Sequence, residues 1–115
     1  MATITYKDLG NDIRAVFIAE RLDIQGTEKV EESFASLVNT GKKRVAVDIS
    51  EVTFLSSVGI RMFIANAKKL KETGGSMALV VGFNAAAIKT LKVTCVDAIL
   101  PMCEKLEEAE AVLKS

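Results

Sequence analysis

Two short runs constrain this chain most: Val45-Ala-Val-Asp-Ile49 and Met77-Ala-Leu-Val-Val81. Each is almost continuously apolar, without the alternation of a sheet that keeps one face wet. Each therefore reads as a strand covered on both faces. Between them, Ile60, Phe63, Ile64, Ala67, Leu70 and Lys71 recur at the helical period. Arg61, Asn66, Lys68 and Lys69 fill the opposite face, and Gly74-Gly75 ends the segment. A buried strand, a helix and a second buried strand call for parallel pairing through a right-handed crossover.

The flanking sequence extends this unit. Thr3 to Lys7 places Ile4 and Tyr6 on one face, as in a half-buried strand, and Ile13 to Glu20 forms a more buried one. Asp8 to Asp12 has turn composition, which makes a hairpin of the pair. Arg21 to Gly26 has no period. Gly26 or Thr27 is then expected to cap a helix with Val30, Phe34, Leu37 and Val38 inward and Glu28, Glu31 and Glu32 near its start. Asn39-Thr-Gly41 ends that helix, and Lys42-Lys-Arg44 leads into the next strand. Further on, Asn84 caps a short helix from Ala85 to Lys92, with Ile88 and Leu91 inward. Val93 to Leu100 is ambiguous. Ala98-Ile-Leu100 is expected as a short last strand, with Pro101 at its edge or in the next turn. Glu104 to Leu113 reads as a final helix carrying Leu106, Ala109, Val112 and Leu113 on one face. The expectation is a single α/β domain over residues 1–115: a mixed sheet of four to five strands, an N-terminal hairpin and about four helices.

Composition removes several functions. Fifteen basic and fifteen acidic residues cancel, which argues against nucleic acid as a partner. There is no Trp and few other aromatics, so a base-stacking platform is not expected. The chain has no His, which excludes His-based catalysis, and no carboxylate or cysteine spacing suggests a metal. Cys95 and Cys103 lie in apolar stretches and read as buried, reduced thiols. Met1 to Lys7 lacks a signal pattern, and no apolar run approaches the roughly twenty residues of a membrane span. A cytoplasmic protein with no membrane association is expected. No GxGxxG, P-loop or Gly-x-Ser-x-Gly pattern is present, so neither a cofactor nor an enzymatic activity is indicated.

What remains is the passage from strand to helix, Asp48 to Ile60, with Ser56-Ser57 at its centre. Serine before an apolar-periodic segment usually caps a helix. A helix N-terminus also favours an anion through its unpaired N–H groups and macrodipole. Asp48, near the tip of a central strand, needs partners and is suited to capping the N–H groups of the following loop. Gly59 is costly in a first helical turn and would let another molecule approach the backbone.

Asp48-x-Ser50-x-Val52-x-Phe54-x-Ser56-Ser57-x-Gly59-Ile60 resembles the signature of the STAS domain family, and within it the bacterial anti-sigma factor antagonists. Arg21-Leu-Asp23 and Leu91-Lys-Val with Ile99 are similar to other parts of the family pattern. The resemblance implies a STAS-type fold and partner switching. The unmodified protein would bind an anti-sigma factor that is also a serine kinase of GHKL type, phosphorylation would release it, and a PP2C-type phosphatase would reset it. Gap-free alignment implies Ser57 as the phosphoacceptor, with Ser56 as the alternative, and Asp48 and Ser50 as structural supports. Asp23, Gln25, Ser56, Ser57, Val58, Gly59 and Arg61 are the implied docking residues. Two positions depart from the pattern: Ser56 replaces an acid, and Val58 replaces a Ser or Thr. These departures leave open a STAS module that binds constitutively, without phosphorylation, as a subunit of a larger signalling or transport complex. A monomer between encounters is expected from the solvated outer faces.

Overall fold

A computed structural model describes residues 2–39, 44–94, 96 and 99–114. The hairpin comes first: β1 (Thr3–Asp8) runs antiparallel to β2 (Ile13–Leu22), with Thr3 opposite Ala19 and Asp8 opposite Arg14. Asn11 and Asp12 turn the chain at φ 63° and 60°, a left-handed conformation that Asn and Asp tolerate best after Gly. Ile4 packs on the core. Tyr6 instead lies exposed under the Arg14 guanidinium, 4.7 Å from the ring centroid. Edge strand β1 has only one neighbour and buries less than its alternation suggests.

Three crossovers follow. They connect β2 through α1 (Ile24–Val38) to β3 (Arg44–Leu55), through α2 (Ser57–Glu72) to β4 (Ser76–Val80), and through α3 (Ala85–Val93) to β5 (Met102–Cys103). The chain ends in α4 (Leu106–Lys114). The sheet order is β1-β2-β3-β4-β5, parallel from β2 onward. Each crossover steps the same way along the sheet, and right-handedness then puts all three crossover helices on one face. There Val45, Val47 and Ile49 meet Val30, Phe34 and Phe63, and Phe34 and Phe63 pack edge to face at 5.6 Å. The other face is left to α4. Ala46 and Ala78 keep it shallow enough for Ala109 and Leu113 to reach Ile13 and Val80.

Five expectations are corrected. Helix α1 starts at Ile24, capped by Asp23 rather than Gly26 or Thr27, so its first turn holds no acid. Strand β3 does not stop at Ile49. It stays paired to β2 through Leu22 opposite Leu55, with register shifts that an extrapolated five-residue strand does not contain. The last strand is Met102–Cys103, because Pro101 delivers its carbonyl to the Leu79 N–H at 2.8 Å and pairing begins beyond it. The final helix accordingly begins at Leu106. On α2, Asn66 and Met62 are buried while Lys71 is exposed, since α1 lies alongside and widens the covered face. Thr40, Gly41, Lys42, Lys43, Cys95, Asp97 and Ala98 fall outside the described residues.

Candidate functional site

The carboxyl ends of β2 and β3 finish level, with Leu22 opposite Leu55. The next residues, Asp23 and Ser56, are the N-caps of α1 and α2. Two helix N-termini therefore stand side by side at one edge of the sheet, both positive ends of their macrodipoles. Asp23 Oδ1 accepts from the Gly26 N–H at 2.7 Å, and Asp23 Oδ2 accepts from Arg21 Nε at 3.3 Å. The Gly26 N–H first, and then the Arg21 guanidinium, hold this carboxyl below its ordinary range, against an opposing desolvation effect. Arg21 also stacks over Phe54, 4.8 Å from the ring centroid.

The two serines have different surroundings. Ser56 is half-buried. Its Oγ donates to the Leu22 carbonyl at 2.6 Å and accepts from the Gly59 N–H at 3.3 Å. Its backbone N–H reaches the same Leu22 carbonyl at 3.0 Å. Ser56 thus ties the start of α2 to the end of β2. Ser57 is the first residue of α2 and is exposed, and among the described residues its hydroxyl makes no hydrogen bond. No acid occupies the first turn of α2, so no side-chain carboxylate there competes for an anion.

Around the serines, Gln25 and Arg61 are exposed, and Gln25 lines a small hollow of about 160 Å³ with Ala2, Arg21, Asp23 and Gly26. Val58 is half-buried in a groove of about 330 Å³ between α1 and α2, which Arg61 also lines. Gly59 faces inward. A Cβ there would lie 3.2 Å from both Leu22 Cβ and Leu55 Cδ1, so the close approach it permits is to its own chain, not to another molecule. Gly26 is more constrained, because a Cβ would collide with the Arg21 carbonyl oxygen. Asp48 is half-buried, and its Oδ1 accepts from the Ser50 N–H at 2.9 Å and the Ser50 hydroxyl at 2.6 Å. Both residues brace the extended part of β3 that leads to the serines.

The structure adds residues that the sequence reading passed over. Ile24 and Phe54 are exposed at this edge, and Phe83, between β4 and α3, is 88% exposed. The signal for Phe83 was its place in a short loop, after Gly82 and before the capping Asn84. Asn84 itself locks this loop to β3, its Nδ2 donating to the Ile49 and Val52 carbonyls at 3.0 and 2.7 Å. No group of three or more metal-binding side chains occurs among the described residues, and no helix among them is long and apolar enough to cross a membrane.

Known proteins resemble this chain in sequence or in fold. BtrV of Bordetella bronchiseptica, whose name describes it as a candidate anti-sigma factor antagonist, is 26% identical over 88 residues, covering 76% of this chain and 75% of its own. An anti-sigma factor antagonist from Mycobacterium paratuberculosis superposes with a TM-score of 0.90 at 21% identity, covering all of this chain and 96% of the other. The Bacillus cell fate determinant SpoIIAA, in its phosphorylated form, superposes at 0.70 with 12% identity, over 96% of this chain and 99% of the other. The model of the STAS domain family matches residues 7–109, most of the chain, and the chain belongs to the STAS domain family.

Proposed function

We propose that this protein is an anti-sigma factor antagonist switched by phosphorylation of Ser57. One observation carries the reading. At the junction of β3 and α2, one hydroxyl is consumed by the fold and its neighbour is presented to solvent at the helix N-terminus. Ser56, which replaces the acid of the family pattern, serves as the N-cap and is the poorer acceptor. The names of BtrV and the mycobacterial relative support the antagonist role, and the phosphorylated SpoIIAA shows that a chain of this fold carries phosphate.

The physical logic of the switch is asymmetric. Phosphoryl transfer from ATP to Ser57 Oγ releases ADP and the hydroxyl proton, and adds about 1.5–2 negative charges. The antagonist tolerates them, because the free N–H groups and the positive end of a sixteen-residue helix face the new dianion. A partner packed over the same edge would bury that dianion near Asp23, which favours release. A hundredfold loss of affinity needs only about 2.7 kcal/mol. The partner is a GHKL-type anti-sigma factor kinase, seated over Asp23, Gln25, Ser57, Val58 and Arg61, and a PP2C-type phosphatase resets the switch.

Incubation with such a kinase and ATP, followed by intact-mass and peptide mapping, tests the reading. One phosphate on Ser57 is expected, with none in Ser57→Ala. Calorimetry should show Ser57→Ala binding the kinase and Ser57→Glu binding at least a hundredfold more weakly. Phosphate on Ser56, or equal affinities for the two variants, would overturn it. A chain that binds its partner but takes no phosphate is the constitutive module instead.

A further inference from the structure

At the opposite end of α2 lies a cavity of about 350 Å³ that the switch does not use. Its floor and walls are Ala67, Met77, Leu100 and Leu113, with Ile99, Pro101 and Val112 toward the rim. It opens where α2, the start of β4, the approach to β5 and the end of α4 converge. The volume is within the range of small-molecule sites, which are mostly apolar with a few polar groups to orient a ligand. Here those groups are of one sign. Lys68 and Lys71, one helical turn apart, line the cavity together with Ser76, and among the described residues no Asp or Glu lines it. Neither lysine forms an ion pair among the described residues. An exposed Ile99, 56% accessible, sits at the same mouth. An apolar chamber under two cations without an ion-pair partner among the described residues complements a molecule with an aliphatic body and a single anionic head.

We infer that this cavity binds a small amphipathic carboxylate, its chain lying between Met77, Leu100 and Leu113 and its head meeting Lys68 and Lys71. This site is independent of Ser57, which lies at the other end of the same helix, roughly 16 Å away at 1.5 Å per residue. Ligand binding and phosphorylation can therefore be tested separately, and neither result decides the other.

The test uses decanoate below its micelle concentration, followed by amide and methyl NMR shifts and by calorimetry. Saturable shifts at Ala67, Met77, Leu100 and Leu113 are expected, with no comparable shifts at Ser57. Decanol, with the body but no charge, should bind at least fivefold more weakly, and acetate, with the charge but no body, should not saturate. Lys68→Gln with Lys71→Gln should weaken decanoate about fivefold and leave decanol unchanged, the weakening shrinking in high salt. Ile99→Glu, at an exposed position, should abolish decanoate binding without loss of fold. Equal binding of decanol and decanoate, shifts centred elsewhere, or no effect of the lysine substitutions would each overturn the inference.

Discussion

Ser56 and Ser57 are adjacent and chemically alike, so alanine at each position separates a hydroxyl that builds the fold from one the fold does not need. Ser56→Ala removes the 2.6 Å bond to the Leu22 carbonyl and the 3.3 Å cap on the Gly59 N–H. The cap is long, which places it near the lower part of the N-cap scale, about 0.5–1 kcal/mol. The short, half-buried bond to Leu22 contributes about 1 kcal/mol more. The Leu22 carbonyl is not orphaned, because the Ser56 N–H still reaches it at 3.0 Å, and this bounds the loss. The expected cost is about 1.5–2 kcal/mol. For a domain of this size that lowers the melting temperature by roughly 6–8 °C. Ser57→Ala breaks no side-chain bond among the described residues and puts a better helix former at an exposed position, a gain of up to about 0.5 kcal/mol. Its melting temperature should equal or slightly exceed that of the parent. Calorimetric melts and urea titrations of the three proteins, unphosphorylated and at one pH, give the comparison. Equal losses in both variants, or an unshifted Ser56→Ala, would refute the division of roles.

Three further outcomes follow from the same geometry. Gly26→Ala should destabilise by about 3 kcal/mol, because its Cβ meets a backbone carbonyl that cannot move aside. Gly59→Ala should lose only about 1 kcal/mol, because the clash with Leu22 and Leu55 is milder and helix propensity partly offsets it. Reversed order in urea melts would refute this account of the two glycines. Asp23 is held below its ordinary value mainly by the Gly26 N–H. A carboxyl lowered on folding stabilises fully above its unfolded value, about 3.9, and this contribution fades as pH falls through the folded value. Asp23→Asn keeps a capping side chain but removes this titration, so its urea midpoint should fall less steeply than the parent's below about pH 4, and parallel curves would count against the assignment. Asn66 is 6% exposed, and its Nδ2 donates to the Met62 carbonyl at 2.8 Å while its Oδ1 has no partner among the described residues. Asn66→Leu removes an unsatisfied buried acceptor and should raise stability by about 1 kcal/mol. A drop of that size in a urea titration would show that Oδ1 is satisfied.

Much of this could be read along the chain. The continuous apolar runs at 45–49 and 77–81 are the central strands β3 and β4, because only burial on both faces selects such runs. Asn84 was legible as a cap, and Ser56 as one of two candidates, because an N-cap is a local choice of residue type. Helix α1 was misplaced at its start for the same reason. Thr27 and Gly26 are plausible caps locally, but Asp23 takes the role where β2 ends level with β3, a tertiary fact. The extension of β3 to Leu55 was equally hidden, since Ser50, Glu51 and Thr53 do not read as a strand, and Glu51, Val52, Phe54 and Leu55 gain their partners only when β2 lies alongside, across two register shifts.

The residue order alone determined the class of fold, the direction of its crossovers and the stretch around Ser56 and Ser57. These follow from periodicity, backbone chirality and residue type, which act over a few positions. Which serine is bound into the fold and which faces solvent was decided only by the tertiary structure. The deciding partner is the Leu22 carbonyl, thirty-four residues away in sequence. Gly59 depends on the same contact, since what needs its missing side chain is the approach of Leu22 and Leu55. The cavity under Lys68 and Lys71 is likewise a product of four elements meeting. No local pattern encodes a space that exists only once those elements have packed.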